Sequence, residues 1–198
     1  MYLDNSIKKY LDDLAAKMPA PGGGSAAALT GALAVSLMEM VLNYTVGKDK
    51  YREFEPELSQ ALKLSQELKQ KLSVLIDKDV EAYQKLSAVL NSQDNIAKEK
   101  ALKDAAGVPM EICNYSYEAM KLCRSIMDKT NKNLITDIGV AAALLEAAYE
   151  SALFNININL KGIKDKEFNS RIKKVIAPQA KEMAKIKQTI IKFVNAEL

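Results

Sequence analysis

Apolar residues recur at helical spacing in almost every segment of this chain, and strand-like alternation occurs only in the short run Asn155 to Leu160. That periodicity restricts the fold to helices packed on helices. The expected fold class is all-α, a bundle of about six helices with two buried Ala-rich helices. A first helix is expected from about Asp4 to Met18, with Ile7, Tyr10, Leu11, Leu14 and Met18 on one face, stopped by Pro19 and Pro21. After Pro21-Gly22-Gly23-Gly24-Ser25, Ser25 is placed to cap a helix continuing to Gly47. This helix is apolar nearly all round and should be the central, buried one; its Ala26, Ala27, Ala28, Gly31, Ala32 and Ala34 permit close approach of neighbours or of a dimer partner.

A polar link, Lys48 to Pro56, leads into a long helix from about Glu57 to Leu90, with a stripe that includes Leu68, Leu72, Leu75, Ile76, Tyr83, Leu86 and Leu90. Helical pattern resumes near Asp94 and runs to about Lys129, with a break or kink expected at Gly107 and Pro109. Asp137 is the expected N-cap of a second Ala-rich helix, Ile138 to Leu160, closed by Gly162. The last helix starts after Asp165, meets Pro178 and runs to the C-terminus. No internal repeat or low-complexity linker divides the 198 residues, which read as one helical domain.

Charge and residue inventory narrow the chemistry. The 28 basic and 25 acidic residues are interspersed, net +3, so no field for nucleic acid or an anionic membrane is implied. Ala26 to Met38 is uncharged but only thirteen residues long, too short to span a bilayer, and reads as a buried helix. Cys113 and Cys123 fall within a helical pattern with no signal peptide before them, so a cytoplasmic location with free thiols is expected. The chain has no histidine. That removes the commonest general base, the commonest zinc ligand and every Ser-His or Cys-His arrangement, leaving carboxylates, lysine, tyrosine, amides and backbone.

Four groups of residues are candidates for chemistry. Three consecutive glycines let a ligand approach peptide N–H groups at a helix N-terminus, an anion-binding geometry. No Gly-Lys-Ser/Thr follows and no strand precedes, so this is neither a Walker loop nor a dinucleotide fingerprint; a plain helix-helix turn is the alternative. Asp79 lies three residues after Ile76, four after Leu75, seven after Leu72 and four before Tyr83, inside the apolar stripe. A carboxylate there is costly unless paired, and partial burial raises its pKa toward the range useful for proton transfer; a structural acceptor capping another helix is the other reading. Asp77 falls at the stripe's edge and is expected to be solvated. Asn131 and Asn133 before Asp137, and Asn155 and Asn159 one turn apart, supply amides suited to a planar heterocycle, or else caps and surface residues, while Asn157 points elsewhere. Lys48, Lys50 and Arg52 form a basic cluster that would hold substrate carboxylates or simply line a solvated face.

The segments PAPGGGSAAAL at 19–29, TVGKDKY at 45–51, DKDVEAY at 77–83, AAGVPMEI at 105–112, NKNLITD at 131–137 and FNININL at 154–160 resemble, in order and spacing, the cyclodeaminase domain of the formiminotransferase-cyclodeaminase family. The resemblance implies a helical homodimer acting on tetrahydrofolate, with no metal and no cofactor beyond the tetrahydrofolate substrate. In that family the domain closes 5-formimidoyltetrahydrofolate to 5,10-methenyltetrahydrofolate with loss of ammonia, and bacterial relatives include methenyltetrahydrofolate cyclohydrolases. A non-catalytic folate-binding subunit is the remaining alternative. The family's formimidoyltransferase domain is not covered, so formimidoyl transfer is not expected. The family's catalytic aspartate falls on Asp79. The resemblance also implies folate contacts from Pro21, Gly22, Gly23, Gly24, Ser25, Tyr83, Asn131, Asn133, Asp137, Asn155 and Asn159, with Lys48 and Lys50 holding the glutamate tail.

Overall fold

A computed structural model describes all 198 residues, in six α-helices and three short 3₁₀ turns, with no strand. The helices are α1 (Ile7–Ala15), α2 (Gly23–Asn43), α3 (Glu55–Leu90), α4 (Asn95–Ile126), α5 (Ile135–Gly162) and α6 (Lys166–Glu197). The turns lie at Tyr2–Asp4, Asp49–Phe54 and Lys132–Leu134. Helices α2, α3, α4 and α5 pack as a bundle, each against the next and α5 back against α2, and α6 covers α5 and α4.

One contiguous core holds buried side chains from all six helices, among them Val35, Met38 and Leu42 of α2, Leu68, Leu72 and Leu75 of α3, Ile112 and Met120 of α4, Leu145 and Tyr149 of α5 and Ile186 and Ile190 of α6. Burying each such side chain contributes about 1.5–3 kcal/mol. Small residues bring the helices close where they cross. A Cβ on Gly31 would stand 3.2 Å from Leu72 Cδ2, and one on Gly139 would stand 3.3 Å from Val194 Cγ1.

Several boundaries differ from the sequence expectation, each for a local reason. α1 is a short helix capped by Ser6, which accepts from Lys9 N at 3.1 Å. Of its expected apolar face, Tyr10 is buried, whereas Ile7, Leu11 and Met18 are exposed. α2 starts at Gly23, so Ser25 lies inside its first turn and is not the cap; α2 also stops at Asn43, before Gly47 takes a φ of +76° in the following turn. α4 continues through Gly107 and Pro109. α5 begins at Ile135, which puts Asp137 in its first turn, and no side chain caps it; Asn131 caps the turn before, accepting from Asn133 N at 3.1 Å. Asn155 to Leu160 is helical.

α2 is central, yet one face of it is uncovered. The exposed side of α2 carries Leu33, Ser36 and Asn43, followed by Tyr44, while Leu37 and Met40 beside them are partly buried against the core. The exposed side of α5 carries Val140, Ala143, Ala147, Glu150, Phe154 and Ile158. Leu33, Tyr44, Val140, Phe154 and Ile158 are 52%, 59%, 49%, 76% and 62% exposed. α2 is long and apolar enough to cross a membrane by length and composition, but 56% of that stretch is buried within the protein.

Candidate active site

The antiparallel pairing of α2 and α5 brings the start of one to the end of the other. Asp79, near the middle of α3's second half, reaches across to the first turn of α2, where its Oδ2 accepts the Ser25 backbone N–H at 2.8 Å. That carboxylate occupies the place an N-cap side chain would take, and it explains why glycine stands beside it. A Cβ on Gly24 would lie 2.1 Å from Asp79 Oδ1 and 2.6 Å from Cγ, an impossible approach. A Cβ on Gly23 would meet the Asn155 amide at 3.5 Å, whereas Gly22 has open space. The glycines therefore serve proximity: they let a helix N-terminus sit directly on a carboxylate.

Behind this contact Ser25 is fully buried, and its Oγ accepts from the Tyr10 hydroxyl at 3.2 Å, which ties α1 to the site. Burial pushes the Tyr10 phenol above its ordinary pKa. Burial also raises the Asp79 carboxyl above the usual carboxylate range, opposed by the Ser25 N–H bond, which favours the charged form. Oδ1 accepts no hydrogen bond from the protein and remains open to a ligand.

Asp79 lines a cavity of about 390 Å³, a volume suited to a small organic molecule. Gly22, Gly23 and Gly24 form one wall with Asn155 and Asn159; Tyr83, Leu86 and Leu90 of α3 and Leu102, Ala105 and Pro109 of α4 form an apolar wall opposite. Asp79 is the only charged residue in the lining. The α4 wall offers no polar side chain for sequence reasoning to single out; two of its residues, Ala105 and Pro109, fall in the segment 105–112, where a break or kink is expected at Gly107 and Pro109 and the helix instead runs on.

The structure thus brings together Gly22, Gly23, Gly24, Asp79, Tyr83, Asn155 and Asn159. Ser25 takes part through its backbone, and Pro21 is buried just outside the lining. Lys48, Lys50, Asn131, Asn133 and Asp137 are not in this cavity. They gather at the opposite end of the α2–α5 pair, where Asn131 N donates to Thr45 Oγ1 at 3.1 Å. The length of α2, 21 residues, separates the two groups by about 30 Å. Asp77, expected to be solvated, is instead buried, and its Oδ1 accepts the Tyr2 backbone N–H at 2.7 Å. The N-terminal turn packs on α3 and covers it. No group of three or more Cys, Asp or Glu side chains is arranged as a metal site.

An apolar cavity lined by one desolvated carboxylate set on a helix N-terminus, in an all-helical bundle, has the form of a small-molecule binding site. The chain belongs to the formiminotransferase-cyclodeaminase family, which matches residues 6–178. It is 34% identical to the methenyltetrahydrofolate cyclohydrolase of Methylorubrum extorquens, over 98% of each protein. It is 25% identical to the formimidoyltransferase-cyclodeaminase of Rattus norvegicus, covering 91% of this chain but only 35% of the rat protein. The crystal structure of formiminotetrahydrofolate cyclodeaminase from Thermotoga maritima superposes with a TM-score of 0.95 at 31% identity, over 99% of this chain and 98% of that one.

Proposed function

We propose that this chain catalyses cyclodeamination of 5-formimidoyltetrahydrofolate to 5,10-methenyltetrahydrofolate and ammonia, with Asp79 as the proton-transferring group. The observation that carries this reading is the Asp79 carboxylate itself, held on the Ser25 N–H with its other oxygen free in an apolar cavity. In the reaction N10 of the folate attacks the formimidoyl carbon and loses its proton, and the nitrogen that departs must gain one before it leaves as ammonia. A carboxyl with a raised pKa exchanges protons with both nitrogens. The same carboxylate, once ionised, stabilises the methenyl cation that forms beside it, an interaction strengthened by the apolar surroundings. Asn155 and Asn159 supply amide donors and acceptors for the edge of the heterocycle.

The end-to-end similarity to the Methylorubrum protein favours a second reading, methenyltetrahydrofolate cyclohydrolase. There Asp79 would act as base for water adding to the methenyl carbon, giving 10-formyltetrahydrofolate. Supplying 5-formimidoyltetrahydrofolate and, separately, methenyltetrahydrofolate while following the methenyl absorbance separates the two: its appearance with ammonia release indicates the deaminase, its accelerated loss the cyclohydrolase. Asp79→Asn is expected to lower kcat at least 10³-fold on the true substrate with the helical circular-dichroism signal intact. Near-normal turnover in that variant would sink the mechanism, and folate binding without turnover of either substrate by the unaltered chain would indicate a binding subunit.

A further inference from the structure

The Asp79 cavity is a slot with unlike ends. On α3 its lining residues Asp79, Ala82, Tyr83, Leu86 and Leu90 fall at i, i+3, i+4, i+7 and i+11, a single stripe about 16 Å long. Asp79, the glycines and Asn155 make one end polar. Because α4 turns back along α3 just after Leu90, its early residue Leu102 joins Leu86 and Leu90 at the other end, which is purely apolar. Leu102 has a second neighbour. Its side chain lies against the backbone of Gly162 on α5, where a Cβ would stand 2.7 Å from Leu102 Cδ1, 3.4 Å from Cδ2 and 3.7 Å from Cγ. Glycine near a helix end commonly answers a need for left-handed backbone, but Gly47 is the one glycine of positive φ in this chain. What position 162 requires is the missing Cβ. The backbone around it is fastened on both sides. Lys103 Nζ meets Asp165 Oδ2 at 2.8 Å, and the Asp165 N–H donates to Glu99 Oε1 at 3.0 Å. Asn169 Nδ2 donates to the carbonyls of Leu160 and Ile163 at 3.3 and 3.0 Å. These bonds hold the start of α4 to the end of α5, so bulk added at 162 displaces the rotatable tip of Leu102 and not the helices. The space open to that tip is the slot.

We propose that Leu102, seated in the recess that Gly162 leaves, fixes the length of the slot and is a specificity-determining residue of the site. The part of the substrate it measures is uncharged and apolar, since three leucine side chains leave any polar edge without a partner. This inference rests on the folate reading for the identity of the substrate. In a tetrahydrofolate the group that fits the leucine end is the aromatic ring carried on N10. The pterin, with its ring nitrogens and carbonyl, belongs with Asn155 and Asn159 at the polar side. Leu102 stands at the end away from Asp79 and acts on binding, not on the proton transfer.

Steady-state kinetics on whichever folate the chain turns over test it. Gly162→Ala, at an exposed helical position, should raise KM at least tenfold, the scale of one surplus methylene in an apolar pocket, with a much smaller fall in kcat. Adding Leu102→Ala to that variant should undo most of the rise. A loss confined to kcat, an unchanged KM in Gly162→Ala, or no recovery in the double variant would overturn the proposal. Leu102→Ala alone gives a readout that helix packing by itself would not move. Tetrahydrofolate with its benzene ring replaced by naphthalene should inhibit the unaltered chain at least tenfold more weakly than tetrahydrofolate does, and Leu102→Ala should bring that ratio below about threefold. Equal inhibition of the unaltered chain by the two compounds, or a ratio that Leu102→Ala leaves unchanged, would refute it. An unaltered chain that turns over neither folate sinks the folate reading alone, because titration with the same two compounds still reads the slot. Failure of both compounds to bind would overturn the slot as well.

Discussion

At the scale of single residues, the site is governed by how closely Asp79 and the α2 N-terminus approach. Gly24→Ala forces an atom to within 2.1 Å of the carboxylate oxygen and must displace it, so kcat/KM should fall by about 100-fold or more, the scale of a misplaced catalytic group. Gly22→Ala, with nothing within 4 Å, should leave the melting temperature within about 2 °C of wild type. Asp79 also has a predictable effect on stability. Burial raises its pKa in the folded protein, so the folded state holds the proton more tightly than the unfolded chain. Its contribution is fully present below the unfolded value and is lost as pH rises through the folded one. Asp79→Asn keeps an acceptor for Ser25 N–H without the charge, and thermal unfolding should show a Tm about 2–5 °C above wild type at pH 7, with the gap closing toward pH 4. Asp79 was legible in the sequence because a carboxylate interrupting an apolar stripe is conspicuous at helical spacing. Asp77 was not, since its burial depends on the Tyr2 turn folding back from a distant part of the chain.

At the scale of elements, the helices were largely readable and their ends were not. Long stripes such as Leu68, Leu72 and Leu75 define α3 wherever it packs, but α2 begins two residues before Ser25 because its cap comes from Asp79 on another helix. α1 shows the opposite case. Its periodicity is genuine, yet only Tyr10, its hydroxyl anchored on Ser25, is fully buried; Leu14 packs partly buried against the core, while Ile7 and Leu11 of the same stripe are exposed. The close crossing at Gly31 sets the α2–α3 distance. Gly31→Val would push a branched side chain into Leu72 and Ser116, and denaturant unfolding should show a loss of about 1–3 kcal/mol.

At the scale of the whole molecule, one face of α2 and α5 is left uncovered by the rest of the chain. If two copies bury it, native dimers are favoured by mass action, and Tm should rise with protein concentration in wild type but not in Leu33→Asp. The sequence by itself determined that the chain is helical, that two Ala-rich helices lie at its centre, that Asp79 stands among apolar neighbours and which family it belongs to. The first three follow from residue type and spacing along one helix, which are local; the family follows from motifs matched in order over most of the chain. The tertiary structure decided which of the marked residues share a cavity. Asp79, the glycines, Asn155 and Asn159 meet because α2 and α5 run antiparallel. For the same reason Lys48, Lys50, Asn131 and Asn133 are carried to the far end, since adjacency between helices depends on their relative direction and packing, which no spacing within a single helix encodes.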